Sequence, residues 1–197
     1  MLEQIINIDK DIFLIINQGM SNVFFDWLLP IMRNPFTWAP LYLFLIIFFI
    51  RNYGKMGILI VAFTLLNFAA SDIISSHLIK KTVMRVRPCN DVEFKDEVNL
   101  RVRCGSGYSF TSSHATNHFA MAFFWIMLFR RKWKHAFWLC FTWAFVIAFS
   151  QIYVGVHYPF DILCGALLGM SIGVLNGYLF KRFFPQFFEI NPTPPLP

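Results

Sequence analysis

Five long apolar segments alternate with short polar ones along most of the chain. They lie near residues 36–50, 54–79, 113–129, 133–153 and 160–180. Each is long enough, or nearly so, to cross a bilayer as a helix. The first is the shortest, and the neighbouring stretch Phe24–Met32 is positioned to extend or support it. The pattern predicts an all-α, polytopic membrane bundle of five to six transmembrane helices.

The two ends of the chain differ from these segments. Residues 1–35 mix apolar side chains with charged ones such as Glu3, Asp9 and Asp26. We expect one or two interfacial N-terminal helices there, with a sixth span as the alternative. Residues 36–184 form the predicted transmembrane domain. The tail, 185–197, is rich in proline and is expected to be loose.

The composition excludes an ordinary soluble domain. Apolar residues make up 57% of the chain and charged residues only 14%, whereas a soluble domain has about a quarter charged residues. Membrane lipids are therefore expected partners. The net charge of +6 suits anionic headgroups or a phosphate ligand. Because the cations lie between long apolar runs, no nucleic-acid partner is expected.

Short cationic loops indicate the orientation. If five helices cross in sequence, residues 51–55, 130–134 and 181–182 fall on one side, which the positive-inside rule makes cytoplasmic. The loop 80–111 then lies on the opposite side. It also has many cations, but four acidic residues accompany them. The predicted location is a multi-pass protein of the bacterial inner (cytoplasmic) membrane, with this loop facing the periplasm.

Three polar clusters fall on that outer side. The first is KKTVMRVRPC, which contains Lys80 and Arg87; the second is TSSHATNH, Thr111–His118; the third, SQIYVGVHYPFD, contains His157 and Asp161. Each has a structural alternative: cations reaching headgroups, a helix cap, or a histidine–carboxylate hydrogen bond. Polar groups are costly in a membrane, and three clusters at one face predict a shared pocket.

The residue types suit phosphate binding. Lys80 and Arg87 offer charge-assisted donors to phosphate oxygens. Ser112 and Ser113 stand at the start of a predicted helix, where free backbone amides favour an anion.

The remaining polar residues suit covalent catalysis. A histidine acts as a nucleophile when a carboxylate accepts a hydrogen bond from its other ring nitrogen, and His157 with Asp161 fits that arrangement. His114 is placed to protonate the leaving group.

Taken together, these residues resemble the signature of the type-2 phosphatidic-acid phosphatase superfamily, in its bacterial membrane lipid phosphatase branch. The family motifs are K-x6-R-P, P-S-G-H and S-R-x5-H-x3-D. Here they read Lys80 to Pro88 in full, T-S-S-H at Thr111 to His114, and S-Q-x5-H-x3-D from Ser150 to Asp161. The resemblance implies a helical bundle in which His157 forms a phosphohistidine, Asp161 orients it and His114 is the general acid. It also implies that Lys80, Arg87, Ser112 and Ser113 hold the phosphate, without a metal or other cofactor.

One departure from the motifs concerns phosphate binding. Gln151 takes the place of a phosphate-binding arginine and offers a hydrogen bond but no charge. Either phosphate binding is weaker, or another cation substitutes. The candidates near in sequence to the motifs are Arg85, Arg101, Arg103 and His118.

The predicted function is hydrolysis of a lipid phosphomonoester or pyrophosphate. The resemblance offers undecaprenyl pyrophosphate, phosphatidylglycerol phosphate, phosphatidic acid and lipid A phosphates as substrates, and a polyprenyl or glycerolipid phosphate is preferred to lipid A. The alternatives are a lipid phosphotransferase and a catalytically weakened lipid-binding homologue. The sequence leaves the oligomeric state open.

Three further patterns carry structural expectations. Cys89 and Cys104 lie in the loop 80–111, which we call the outer loop. They are expected to form a disulfide if this loop faces an oxidising compartment. The pair His114 and His118 has metal-binding spacing, but no third ligand is evident, so a phosphate pocket is preferred. Four glycines spaced by four, at 165, 169, 173 and 177, predict close packing of the last helix on a neighbour.

Overall fold

The computed structural model describes residues 2–189, and this part of the chain is helical, without strands. The α-helices are α1 (Leu2–Leu14), α2 (Val23–Arg33), α3 (Pro35–Tyr53), α4 (Lys55–Asp72), α5 (Lys80–Val83), α6 (Ser113–Phe129), α7 (Ala136–Tyr153), α8 (Pro159–Phe183) and α9 (Gln186–Glu189). A π-helical turn follows α1 at Ile15–Gly19, and another, Ile73–Ile79, joins α4 to α5. Two 3-10 turns, Pro88–Asn90 and Lys95–Glu97, lie in the long loop before α6.

Within residues 2–189, four helical runs are long and apolar enough to cross a membrane: α3, the run Lys55–Val83, α7 and α8. They surround α6, which has 17 residues, most of them buried. The outer helices instead expose large apolar side chains such as Leu139 and Phe183. A bundle that is apolar on its outside as well as its inside fits a lipid environment. The predicted multi-pass, all-α membrane fold is confirmed.

The glycines of α8 bring it against the backbone of α6. A Cβ atom at Gly169 would lie 2.3 Å from the carbonyl oxygen of Thr116, and one at Gly173 would lie 2.3 Å from that of Ala120. No side chain fits there, because these distances are well below van der Waals contact. The close packing predicted from the glycine spacing is confirmed.

The cationic loops meet at one end of the bundle. The Lys132 ammonium donates a hydrogen bond to the Phe187 carbonyl at 2.8 Å and lies 5.7 Å from the centre of the Tyr53 ring. The end of α3, the loop between α6 and α7, and the segment after α8 therefore lie together. At the other end, the Ser112 amide donates to the Asp161 carbonyl at 3.1 Å. The cationic loops and the motifs thus occupy opposite ends.

The N-terminal helices α1 and α2 pack at the motif end. They form a pair bent by 116°. Asp9 of α1 forms an ion pair with Arg85, and Asp26 of α2 forms one with Arg101. Both helices therefore contact the long loop before α6, and the bent pair passes as a membrane span only when the two helices are taken together.

The ordered chain continues past the predicted start of the loose tail. Helix α9 begins at Gln186, and Phe187 is buried among aromatic rings that include Phe129 and Phe180. The first residues of the segment 185–197, which was predicted to be loose, are therefore helical and packed against the bundle. Residues 190–197, including the NPTPPLP sequence, lie outside the described residues.

Candidate active site

His157 is buried in the turn between α7 and α8, with both ring nitrogens in contact with polar groups. Its Nε2 lies 3.1 Å from Nη1 of Arg87. A guanidinium only donates hydrogen bonds, so Nε2 carries the lone pair. The proton is then on Nδ1, which lies 3.2 Å from Oγ of Ser109 and 3.4 Å from Oδ2 of Asp161. This is the tautomer that a nucleophilic Nε2 needs.

The Asp161 carboxylate is fully buried and accepts hydrogen bonds on both oxygens. Oδ2 accepts from the Ser109 hydroxyl and from the Tyr158 amide, the latter at 2.9 Å. Oδ1 accepts from Nη1 of Arg85 at 2.8 Å. Burying a carboxylate is costly without such donors. Their combined effect is to keep Asp161 ionised and aimed at the imidazole.

Ser109 contributes to this arrangement without belonging to any motif. Its hydroxyl contacts both His157 and Asp161, and the residue is fully buried. It precedes the second motif by one residue, Phe110. No sequence pattern predicts this role, because a serine in a loop carries no pattern of its own.

Arg85 links the site to the N-terminus of the chain. Its Nη2 lies 2.6 Å from Oδ2 of Asp9, and its guanidinium stacks 4.1 Å from the centre of the Tyr158 ring. The other oxygen of Asp9 accepts from the Phe160 amide at 2.8 Å. Arg85 is thus engaged by two carboxylates and a ring, which argues against its predicted role as a substitute phosphate ligand.

Arg87 and Lys80 supply positive charge beside His157. Arg87 is anchored by the backbone carbonyls of Gly107 and Val156 at 3.2 and 3.1 Å. Burial lowers the pKa of the His157 ring below its usual range. The carboxylate of Asp161 opposes this shift, whereas the charges of Arg87 and Lys80 add to it. His157 is therefore neutral at neutral pH, as a nucleophile must be.

The second motif starts α6 next to Asp161. The Ser112 hydroxyl accepts from the Ala115 amide at 3.4 Å, so Ser112 is the helix cap that the structural alternative describes. Ser113 Oγ lies 2.8 Å from Ser76 Oγ in the π-helical turn. His114 follows in the first turn of α6 and stacks parallel to His118, with ring centres 6.3 Å apart.

The His118 ring is bound by protein groups on both sides. Its Nδ1 lies 2.8 Å from the His114 carbonyl, and its Nε2 lies 3.2 Å from the Tyr42 hydroxyl. These contacts use both nitrogens, which disfavours the alternative of a metal held by the two histidines.

Gln151 acts through its backbone. Its carbonyl accepts from the amides of Val156 and His157 at 3.1 and 3.2 Å, and this shapes the turn that presents the imidazole. The side chain is fully buried, and its Nε2 lies 3.5 Å from the Ile147 carbonyl within α7. No hydrogen bond among the described residues joins this side chain to the other predicted phosphate ligands.

The expected disulfide joins Cys89 to Cys104, with Cα atoms 6.0 Å apart. It ties the segment after Pro88 to the segment before Gly105. A Cβ atom at Gly105 would lie 3.5 Å from Cζ of Arg87, so this segment lies directly against the guanidinium. The bridge thereby supports the loop that surrounds Arg87.

Comparison with known proteins identifies the family to which a chain with this site belongs. The family model of the PAP2 superfamily, the type-2 phosphatidic-acid phosphatases, matches residues 55–185. The chain belongs to this superfamily. The identification made from the three motifs is confirmed, and with it the prediction of a membrane phosphatase.

Relatives within the PAP2 superfamily act on lipid phosphates. The lipid A 4'-phosphatase of Bacteroides thetaiotaomicron is 31% identical over 98% of this chain and 86% of its own length. That of Porphyromonas gingivalis is 30% identical over 92% of this chain and 77% of its own length. The undecaprenyl-diphosphatase of Sulfolobus acidocaldarius is 27% identical, covering 88% and 79%.

Solved PAP2 structures share the fold. LpxE of Aquifex aeolicus superposes with a TM-score of 0.67 at 25% identity, covering 84% of this chain and 92% of that one. The PAP2-type phosphatidylglycerolphosphate phosphatase of Bacillus subtilis gives 0.69 at 21% identity, covering 91% and 87%. The PAP2 match starts at residue 55, so Asp9, which binds Arg85, lies outside it.

Proposed function

We propose that this protein hydrolyses a phosphate monoester on a lipid of the lipid A type, through a phosphohistidine on His157. The lipid A 4'-phosphatases resemble the chain over nearly its whole length, which reverses the preference for a polyprenyl or glycerolipid substrate. The observation that carries the mechanism is the hydrogen bonding of His157. Nε2 faces Arg87, while Nδ1 faces Ser109 and Asp161.

In the first step, the lone pair of His157 Nε2 attacks phosphorus and the bond from phosphorus to the lipid oxygen breaks. Arg87 and Lys80 bind the phosphate oxygens, with donors from the start of α6. His114 gives its proton to the departing lipid oxygen, which leaves as an alcohol. The Asp161 carboxylate stabilises the positive charge that develops on the imidazole.

In the second step, water attacks the phosphohistidine. His114, now neutral, accepts a proton from the water as the new bond to phosphorus forms. The bond from phosphorus to Nε2 breaks, inorganic phosphate leaves, and the neutral imidazole is restored. No step requires a metal ion, because the cationic side chains supply the positive charge.

We also propose that the site faces the periplasm across the inner membrane. The site lies at the end of the bundle opposite Lys132 and the other cations of the loop 130–134. The positive-inside rule places that cationic loop in the cytoplasm. A lipid headgroup would then reach His157 from the outer leaflet.

The test is phosphate release by the purified protein in detergent from lipid A, undecaprenyl pyrophosphate, phosphatidylglycerol phosphate and phosphatidic acid. We expect release from lipid A to be fastest. His157→Ala should abolish turnover and the acid-labile phosphoprotein that forms with labelled substrate. The matched control is His135→Ala, because His135 is exposed and lies in the cationic loop at the opposite end. Normal phosphate release by His157→Ala would overturn the mechanism, and transfer of label to a second lipid would identify a phosphotransferase.

A further inference from the structure

In the third motif, Gln151 stands where the family has a phosphate-binding arginine. Two arginines of the loop 80–111 do not replace it, because other protein groups already bind them. Arg85 is held by Asp9 and Asp161. Arg101 is held by Asp26 and by the backbone carbonyls of Asn17, Asn99 and Tyr153. Their charges are neutralised inside the fold, so a further cation has to be sought outside the motifs.

Helix α2 brings such a cation to the third motif. Leu29 is buried with Val154 and Val156, the segment that leads into His157. Arg33 follows Leu29 by four residues, and residues four apart lie on the same face of a helix. Arg33 therefore lies on the face of α2 that packs against the third motif.

The end of α2 is fixed in this position. The Trp38 indole donates to the Met32 carbonyl at 2.7 Å, and the Thr37 hydroxyl donates to the Ile31 carbonyl at 2.8 Å. Asn34 then caps α3 by accepting from the Phe36 amide at 3.0 Å. Because these bonds surround Arg33 on both sides, its backbone is held as the turn between two helices.

Arg33 carries a charge without a counterion among the side chains of residues 3–188 that the structure describes. Its side chain is half-buried, yet no carboxylate of this region pairs with it. A partly buried, uncompensated cation is unfavourable unless an anion binds beside it. Burial lowers the pKa of the Arg87 guanidinium; Asp161 opposes that shift, and the like charge of Arg33 adds to it. Arg33 is thus near enough to Arg87 for their like charges to repel.

We propose that Arg33 is the third phosphate-binding cation of this site, supplied by α2 in place of the guanidinium that the third motif lacks at Gln151. The proposal rests on the proposed function, since it assigns Arg33 to the phosphate of that substrate. It accounts for the third motif's missing charge with a residue that precedes the PAP2 match.

The test uses orthovanadate as a phosphate mimic, with purified Arg33→Gln, Arg33→Lys and Arg103→Gln proteins. Arg103 is exposed in the outer loop, which argues against the role considered for it as a substitute phosphate cation, and it is the control for loss of one positive charge. Vanadate affinity is measured from the rise in melting temperature with vanadate concentration, which needs no lipid substrate. A charge-assisted hydrogen bond changes binding by roughly tenfold to a hundredfold. We expect a loss of that size for Arg33→Gln, a smaller loss for Arg33→Lys and none for Arg103→Gln.

A rescue separates phosphate binding from a structural role. The double variant Arg33→Gln with Gln151→Arg should regain part of the vanadate affinity and of kcat/KM, because it returns a guanidinium to the position where the third motif has its arginine, and the longer arginine side chain extends beyond the buried amide of Gln151. Equal vanadate affinity in Arg33→Gln and Arg103→Gln would overturn the proposal, as would a double variant no better than Arg33→Gln. If the unsubstituted protein binds vanadate but releases no phosphate from any lipid, the proposed function fails while the vanadate comparison still decides the role of Arg33.

Discussion

At the scale of single residues, the motifs specify the reacting groups but not what surrounds them. The spacing of His157 and Asp161 by four residues predicted their pairing, and the structure shows it. Ser109 lies 48 residues before His157 and 52 before Asp161, and it contacts both. Such a contact depends on how the long loop folds back, and no local pattern encodes it. The same holds for Asp9 and Arg85, which are 76 residues apart.

Replacing Ser109 with Ala should lower kcat while leaving vanadate affinity nearly unchanged. The hydroxyl helps to hold the Nδ1 proton and the Asp161 carboxylate, and it makes no contact with Arg87. Loss of one hydrogen bond to a charged group corresponds to a decrease in kcat on the order of tenfold. Steady-state kinetics with a lipid phosphate measure the effect.

Ser106→Ala is the matched control for Ser109→Ala, because Ser106 is exposed in the same loop. Equal kcat in the two variants would show that Ser109 does not position the nucleophile. A loss confined to vanadate affinity would instead assign Ser109 to phosphate binding.

At the scale of elements, hydropathy predicts where the helices lie but not where a helix departs from α-helical geometry. The predicted segment 133–153 corresponds to α7, Ala136–Tyr153, and the predicted 113–129 to α6. The predicted segment 54–79, however, contains the π-helical turn Ile73–Ile79. Apolar content does not distinguish the two kinds of helix, since both bury a similar surface. The turn sets the direction of Ser76, which contacts Ser113.

Gly169→Ala should destabilise the bundle, because its new methyl group would meet the backbone of α6 at Thr116. Overpacking of this kind costs about 1–3 kcal/mol. The melting temperature in detergent should fall, and activity with it, since α6 and α8 carry His114 and Asp161.

The control is Gly19→Ala, where a Cβ atom would have nothing within 4 Å. An unchanged melting temperature for Gly169→Ala would mean that α8 can move away from α6 without loss of stability.

At the scale of the whole molecule, the sequence predicted a multi-pass helical bundle and the separation of cationic loops from motifs. It predicted five to six spans, whereas residues 2–189 contain four helical runs that are long and apolar enough, or five if the bent N-terminal pair counts as one. It did not show that α1 and α2 form part of the wall of the site. Amphipathic character reveals that a helix lies at an interface, but not what its polar face contacts. The structure shows Asp9 beneath Arg85, and Leu29 against Val154 and Val156.

The orientation is tested with single cysteines at exposed positions, in a protein whose free Cys140 and Cys164 are replaced by Ala. A membrane-impermeant maleimide added to spheroplasts should label Val92→Cys, in the outer loop, and not Arg131→Cys, in the cationic loop. After lysis, both should be labelled. The reverse order of labelling would place His157 in the cytoplasm.

The ion pair between Asp9 and Arg85 has a consequence for how such proteins diverge. A gene segment encoding only the region from residue 55 onward would carry all three motifs but not the carboxylate that shares Arg85 with Asp161. Recombination at that boundary would join the N-terminal region of one protein to the motif-bearing region of another. The ion pair between Asp9 and Arg85 could then be lost. The region before residue 55 and the motifs are therefore expected to be inherited as one unit, with substitutions at Asp9 and Arg85 occurring together.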